Sequence, residues 1–345
     1  MNRILVIRGG AIGDFILTLP ALKALRDAYP KTWIEILGYK HIAALAENRF
    51  YANAARSIEY ASLSSFFAKD AELPDELRDY FGGFDLILSY LFDPDQIFEN
   101  NLRRCGAPTI LHGPAKLDNR SYATRQLVRP LEKLDINVTD LTPKIFPSPE
   151  DRQFASQFLS DAVAPIVALH PGSGSEQKNW PIKNWIDLGN RLLAHCASRS
   201  GGFPAAELPG RRSGDRRSLI VISGEADEPQ VAQLEREWED HHVLFAKNLP
   251  LPQLGAVLEH SIFVGHDSGI SHLAAAAGAK CLLLFGPTDP AVWAPRNENV
   301  QVIRATSGRM EDVDLVAVAS ALKTLLNNER SLDFARDDKK TEITR

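Results

Sequence analysis

The chain has 345 residues, is 44% hydrophobic and 24% charged, and carries a formal net charge of −5 at pH 7. That length suits two domains of ordinary size and that balance suits a globular protein, while the lack of a basic excess argues against nucleic acid as a partner. Cys105, Cys196 and Cys281 lie far apart with no CxxC pair, so neither a metal framework nor a disulfide framework is expected, and a reducing compartment is.

The first residues, MNRILVIRGG, run straight into an apolar strand, Ile4 to Ile7, with no cleavable leader pattern. No apolar run approaches the roughly 20 residues of a membrane span, which makes a cytoplasmic protein the expectation, with peripheral membrane contact left open. Arg8 to Asp14 (RGGAIGD) forms a glycine turn, and a helix follows to about Ala28 with Pro20 as a kink point. Strands are expected at Trp33–Leu37, Ile58–Tyr60, Leu86–Leu91 and Thr109–His112. Helices are expected near Asp75–Phe81, at Gln96–Arg104 and at Tyr122–Leu134, the last carrying Arg125 and Arg129. Strands separated by helices argue for parallel βαβ units. An irregular stretch, Thr139 to Pro149, is rich in Thr, Ser and Pro, and the boundary of an N-terminal domain, 1–149, is placed there.

The pattern then restarts in a second domain, 150–326. Strands are expected at Ile166–Leu169, Leu219–Ile222, Val243–Ala246, Ile262–Val264, Cys281–Phe285 and Val300–Arg304. Helices are expected at Asn184–Cys196, from the acidic turn to Asp240, before Glu259, at Ile270–Ala277 and at Asp312–Leu326. Residues 197–218, rich in Gly, Pro, Ser and Arg and without a period, read as a disordered surface insertion. Residues 327–345 read as a loose charged tail.

Three segments of the second domain follow expected strands and so fall at the carboxyl edge of a parallel sheet, where ligands bind. HPGSGSEQKNWP brings a glycine turn, hydroxyls including Ser173, and Lys178, a set suited to phosphate oxygens. SGEADE brings three carboxylates, one of which could chelate a ribose diol. GHDSGISH places Asp267, Ser268 and Gly269 at a helix start with His272 in the first turn. The unpaired N–H groups and the dipole there suit a diphosphate. Each also has a plainer reading: a decorated loop, a solvated acidic helix start, a capped helix in an α/β core. In the first domain, the turn built on Gly9, Gly10 and Gly13 lacks the glycine that a dinucleotide fingerprint needs where Arg8 stands, and the second strand ends at Gly38 without a carboxylate. A nicotinamide enzyme is therefore disfavoured. Asp14 is either a base facing an interdomain cleft or a simple first-turn carboxylate. The nearest approach to a metal-binding DxD is Asp93-Pro94-Asp95, in the other half from the diphosphate seat.

Taken together, ILVIRGGAIGDFILTLPAL, HPGSGSEQKNWP, the Gly224 to Glu228 spacing and DSGISHLAAAAGAKCLLLFGPTDPAVWAP resemble the lipopolysaccharide heptosyltransferases, glycosyltransferase family nine, from Ile4 to about Leu326. The resemblance implies a GT-B fold, an α/β architecture of two Rossmann-like parallel-sheet domains facing across a cleft. The nucleotide-sugar donor, most simply ADP-heptose, would lie on the second domain and a glycolipid or oligosaccharide acceptor on the first. Transfer would be inverting, with neither a metal nor a cofactor, and peripheral contact with the inner face of the inner membrane stays open. Position by position, Asp14 matches the family's proposed base, Lys178 its phosphate-binding lysine and Glu228 its ribose carboxylate. Asp267, Ser268, Gly269 and His272 match its diphosphate and sugar contacts. Ser268 stands where threonine is common, and the 197–218 insertion is outside the pattern. The rivals are a nucleotide-sugar epimerase or hydrolase on the same scaffold, and a non-catalytic nucleotide-sugar-binding protein.

Overall fold

The structure, a computed structural model, describes residues 1–198, 217–224 and 227–342. The expected disordered insertion thus lies, over 199–216, outside the described residues, as do two residues of the acidic turn, 225 and 226. The chain forms two compact units, Met1–Ser148 with Ala291–Arg296, and Pro149–Pro290 with Asn297–Arg345.

The first unit holds five strands: β1 (Arg3–Arg8), β2 (Trp33–Gly38), β3 (Ala54–Ser57), β4 (Leu86–Ser89) and β5 (Ile110–His112). All pair in parallel, in the order β3-β2-β1-β4-β5. Ile4, Leu5, Val6 and Ile7 of β1 are buried to within 1% of complete, as a central strand covered by helices on both faces requires. From β1 the chain moves outward to β3, then returns past β1 to β4. The sheet therefore switches direction between β1 and β4, and the segments leaving those two strands diverge at their carboxyl ends.

The second unit repeats the scheme with β6 (Ala162–His170), β7 (Arg217–Ser223), β8 (Val243–Lys247), β9 (Ser261–His266), β10 (Lys280–Phe285) and β11 (Val300–Arg304). The order is β11-β10-β9-β6-β7-β8, again all parallel, so its switch falls between β6 and β9. The two sheets are those of the GT-B class expected from the sequence.

Several elements differ from the sequence-based expectation. The third strand is Ala54–Ser57, not Ile58–Tyr60: its small and polar residues hide a strand that is only partly buried at the sheet edge, and the Ile58 N–H adds a last bond to the Gly38 carbonyl. The helix expected over Tyr122–Leu134 is α-helical only over Ala123–Val128 and tightens to 3₁₀ over Arg129–Leu134, where Pro130 has no N–H to give. The final helix, Leu315–Glu342, runs past the expected end at Leu326, through a stretch with no Gly or Pro to stop it. Within the first unit, Ala291–Arg296 packs through Trp293 Nε1, which donates to Asn119 Oδ1 (3.2 Å), and through the Arg296 guanidinium, 4.0 Å from the Tyr122 ring centroid.

Packing in the second unit centres on three tryptophans, Trp180, Trp185 and Trp238, with the apolar faces of the central strands. Trp238 donates to Asn190 Oδ1 (2.8 Å), and its ring lies over Gly189 in the helix Ile182–Ser198. A methyl group on Gly189 would sit 2.1 Å from a Trp238 ring carbon. Helix propensity alone would favour Gly189→Ala by about 1 kcal/mol, whereas overpacking a core costs about 1–3 kcal/mol. We expect Gly189→Ala to lower stability in urea unfolding, and a stabilised variant would contradict this packing.

Candidate functional site

At the switch point of the second sheet, the chain leaving β9 makes one turn before the helix Gly269–Ala277. Ser268 caps that helix in extended conformation, its Oγ accepting from Ser271 N (3.3 Å), and Gly278 ends it at φ 92°. The capping Ser/Gly pair and the small apolar helix between them are what the local sequence dictates. Gly269 is the first helical residue and His272 lies buried in the first turn.

The carboxylate of Asp267 is the meeting point of three strand ends. It is 8% exposed, and one of its oxygens, Oδ2, accepts from Lys178 Nζ (2.7 Å) and from Thr288 Oγ1 (2.8 Å). Lys178 comes from the segment after β6, Asp267 from that after β9 and Thr288 from that after β10. A buried carboxylate must be paired, and this one is doubly so. An ammonium has three N–H donors, so Lys178, with its side chain 31% exposed, keeps two for an anion placed against the helix start.

A second pair lies beside the first. His170, the last residue of β6, meets Asp227 Oδ2 through Nε2 at 2.9 Å, and its Nδ1 stands 3.5 Å from Ser268 Oγ. Asp227 also accepts from Gly224 N (3.2 Å). Burial acts to raise the Asp227 carboxyl, but the His170 hydrogen bond and charge, with the Gly224 N–H, outweigh it and hold the group below the usual carboxylate range. Gly172 has no alternative here, because a methyl group on it would fall 1.8 Å from Asp227 Oδ1. Ser173, expected as a phosphate hydroxyl, is instead turned into its own loop, towards Ser175 O (2.8 Å) and Asn179 Oδ1 (2.7 Å). Glu228 is exposed at the start of the helix Glu228–Glu237. Sequence reading placed Glu228 but passed over Asp227 and His170. Three carboxylates in one hexapeptide carry no mark of which is buried. Thr288 was also passed over, though it stands within the quoted FGPTDP.

In the first unit, Asp14 lies in the first turn of the helix Ile12–Ala28 at the end of β1, on the switch side of the sheet. Its Oδ2 accepts from Ala11 N (3.1 Å), and its side chain is 37% exposed. Gly9 and Gly10 form the turn, and Gly13 belongs to the helix. Gly10 takes a left-handed φ of 97°, and a methyl group there would stand 2.9 Å from Asp14 Oδ2. Asp93 is committed to the backbone: its two oxygens accept from Phe98 N (3.2 Å) and Glu99 N (2.9 Å) at the start of the next helix. Among the described residues no three His, Cys, Asp or Glu side chains gather as a metal ion would require.

Residues 211–321 match the family model described as glycosyltransferase family 9 (heptosyltransferase). Lipopolysaccharide heptosyltransferase 3 of Escherichia coli is 22% identical over 314 residues, 84% of each chain. The chain is a heptosyltransferase-like glycosyltransferase. The fold agrees: the family 9 glycosyl transferase of Veillonella parvula DSM 2008 superposes with a TM-score of 0.72 at 18% identity, over 95% of this chain and 97% of that one. The E. coli ADP-heptose lps heptosyltransferase II superposes with a TM-score of 0.70 at 17% identity, over 96% and 100%. Among the described residues of this glycosyltransferase, no helix is long and apolar enough to cross a membrane.

Beneath the glycosyltransferase's Lys178–Asp267 pair, His266 is fully buried at the end of β9. Its Nε2 accepts from Trp180 N (2.8 Å), and its Nδ1 faces the Gly172 carbonyl (3.4 Å), which assigns the neutral Nδ1–H tautomer. Burial first, and then neighbouring His170, push it from 6.5 down to about 3. Between these two values the unfolded chain binds a proton that the folded chain refuses. The His266 contribution is thus full above pH 6.5 and is lost as pH falls towards 3, with a limiting slope of about 1.4 kcal/mol per pH unit. Glutamine can keep the acceptor for Trp180 N without titrating. In urea unfolding from pH 8 to pH 5, we expect the stability of His266→Gln to fall less steeply below pH 6.5 than that of the native protein. Parallel curves would show that His266 is not held neutral.

Proposed function

We propose that the chain transfers heptose from ADP-heptose, with inversion and without a metal ion, to a hydroxyl of a lipopolysaccharide-core or related cell-envelope glycan, working on the cytoplasmic side of the membrane. The observation that carries this reading is the three-way junction of Lys178, Asp267 and Thr288 at a helix start, an arrangement suited to a diphosphate leaving group. The E. coli neighbour is named for ADP-heptose, and that is the donor proposed here.

The acceptor oxygen attacks the anomeric carbon opposite the diphosphate. The bond from that carbon to the diphosphate oxygen breaks, and the hydroxyl proton passes to the Asp14 carboxylate. Lys178 and the helix N–H groups balance the charge that develops on the departing ADP, the work a cation would otherwise do. Glu228, exposed one residue beyond the Asp227 pair, takes the ribose diol; Ser268, Gly269 and His272 line the sugar and diphosphate. Ser173 supports the loop that carries Lys178 rather than touching phosphate.

Thermal shift against ADP-, UDP-, GDP- and dTDP-sugars tests the donor, since a ligand that binds only the folded state raises the midpoint by mass action. We expect ADP-heptose to give the largest shift and Lys178→Ala to weaken ADP binding about tenfold or more in calorimetry, the loss of a charged hydrogen bond. An unchanged affinity would remove Lys178 from the site. For the chemistry, Asp14→Asn should bind ADP-heptose normally yet transfer at least about a hundredfold more slowly. Near-native turnover with chemistry rate-limiting would dismiss Asp14 as the base, and activity lost to EDTA and restored by magnesium would dismiss the metal-free route.

A further inference from the structure

Arg8 closes β1 and is 5% exposed, with a side chain turned inward beneath the helix Ile12–Ala28. A guanidinium is always charged, and the N-terminal end of a helix repels a cation, so its place there needs a compensating interaction. That compensation comes from Asp14. Arg8 Nη2 donates to the Asp14 carbonyl (3.1 Å) and stands 3.4 Å from its carboxylate Oδ1. Nε donates to Thr18 Oγ1 (3.1 Å), which itself donates to the same Asp14 carbonyl (2.8 Å). From the other side of the switch point, the Tyr90 ring just beyond β4 lies 5.5 Å from the guanidinium carbon. Among the described residues Asp14 is the one carboxylate paired with Arg8. Burial pulls the guanidinium below its ordinary value, and Asp14 and Tyr90 oppose that shift.

The two oxygens of Asp14 are therefore held from different directions: Oδ2 by Ala11 N, with Gly10 leaving room for it, and Oδ1 by the ion pair with Arg8 Nη2, whose guanidinium fork grips the carbonyl of the same residue. Arg8 is too enclosed to reach a substrate, and its hydrogen bonds and ion pair converge on Asp14, directly and through Thr18. We propose that Arg8 is a positioning residue that fixes the Asp14 carboxylate in the orientation in which it takes the acceptor proton. This rests on the reading of Asp14 as the base. A base displaced by about 1 Å can lose on the order of a hundredfold in rate.

The test is a double-mutant cycle in single-turnover transfer, from ADP-heptose to deacylated, heptose-free lipopolysaccharide-core oligosaccharide. Arg8→Met fills the same space without charge or donors, and Arg8→Lys keeps the charge without the fork. We expect Arg8→Met to slow transfer by about tenfold to a hundredfold, with both KM values from parallel steady-state assays within about twofold, and Arg8→Lys to fall between it and the native rate. In the Asp14→Asn background, Arg8→Met should add nothing beyond about threefold, because Arg8 acts only through that carboxylate. Calorimetric ADP binding and circular dichroism report folding; where Arg8→Met does not fold, Arg8→Lys and its double variant with Asp14→Asn decide alone. Native turnover in the folded Arg8 variants, or a penalty that repeats in full on Asp14→Asn, would overturn the proposal. Near-native turnover of Asp14→Asn by itself would instead fell the base reading, and the proposal with it.

Discussion

The buried carboxylate of Asp267 is the constraint on which the second unit's site depends. A lone charge at 8% exposure is strongly disfavoured, so the loop after β9 can take its place only if Lys178 and Thr288 take theirs. One acidic side chain thereby sets the height of three strand-end loops at once. It also removes conformational freedom from a long lysine before any ligand arrives, and that is how a flexible cation becomes a fixed one. The neighbouring His170–Asp227 pair repeats the device between β6 and β7, and Ser268 links the two through His170.

The same logic governs both sheets. Each is parallel, each reverses its winding beside its first strand, and each puts its chemically loaded segment at that reversal: Arg8 to Asp14 after β1, and Gly172 to Lys178 with Asp267 after β6 and β9. Helices splay apart at a reversal and leave polar backbone without regular partners, so charged and small residues gather there. Cores are built elsewhere, from strand runs such as Cys281–Phe285 and from the tryptophans that pack on them.

The central strands were legible in the sequence because double-sided burial demands an unbroken apolar run, as in Ile4–Ile7 and Ile262–Val264. Ala54–Ser57 was not, because an edge strand needs no such run. The capped helix after Asp267 was readable from Ser268 and Gly278, whose roles are local. Roles fixed by distant partners left no such trace. Nothing in SGEADE marks Asp227, rather than Glu228, as the residue that meets a histidine 57 positions away. Ser173 looked free because a hydroxyl near glycines usually is, and only folding shows it bonded within its loop. Arg8 was visible chiefly as a missing glycine; that it would turn inward under Asp14 depends on Thr18 and on Tyr90, 82 residues further on.

The first unit is not one continuous piece of chain, since Ala291–Arg296 belongs to it while the residues on either side belong to the second. The polypeptide therefore passes between units three times, and the last two passages bracket six residues that begin three positions after Thr288. A gene fragment ending at residue 148 would lack the partner of Asn119 and the cation over Tyr122. Chimaeras that exchange one half for a relative's should accordingly be cut at three places, with the short segment travelling with the N-terminal half. The joint at Pro290 to Ala291 then becomes the one where a mismatched graft would disturb the loop that holds Asp267.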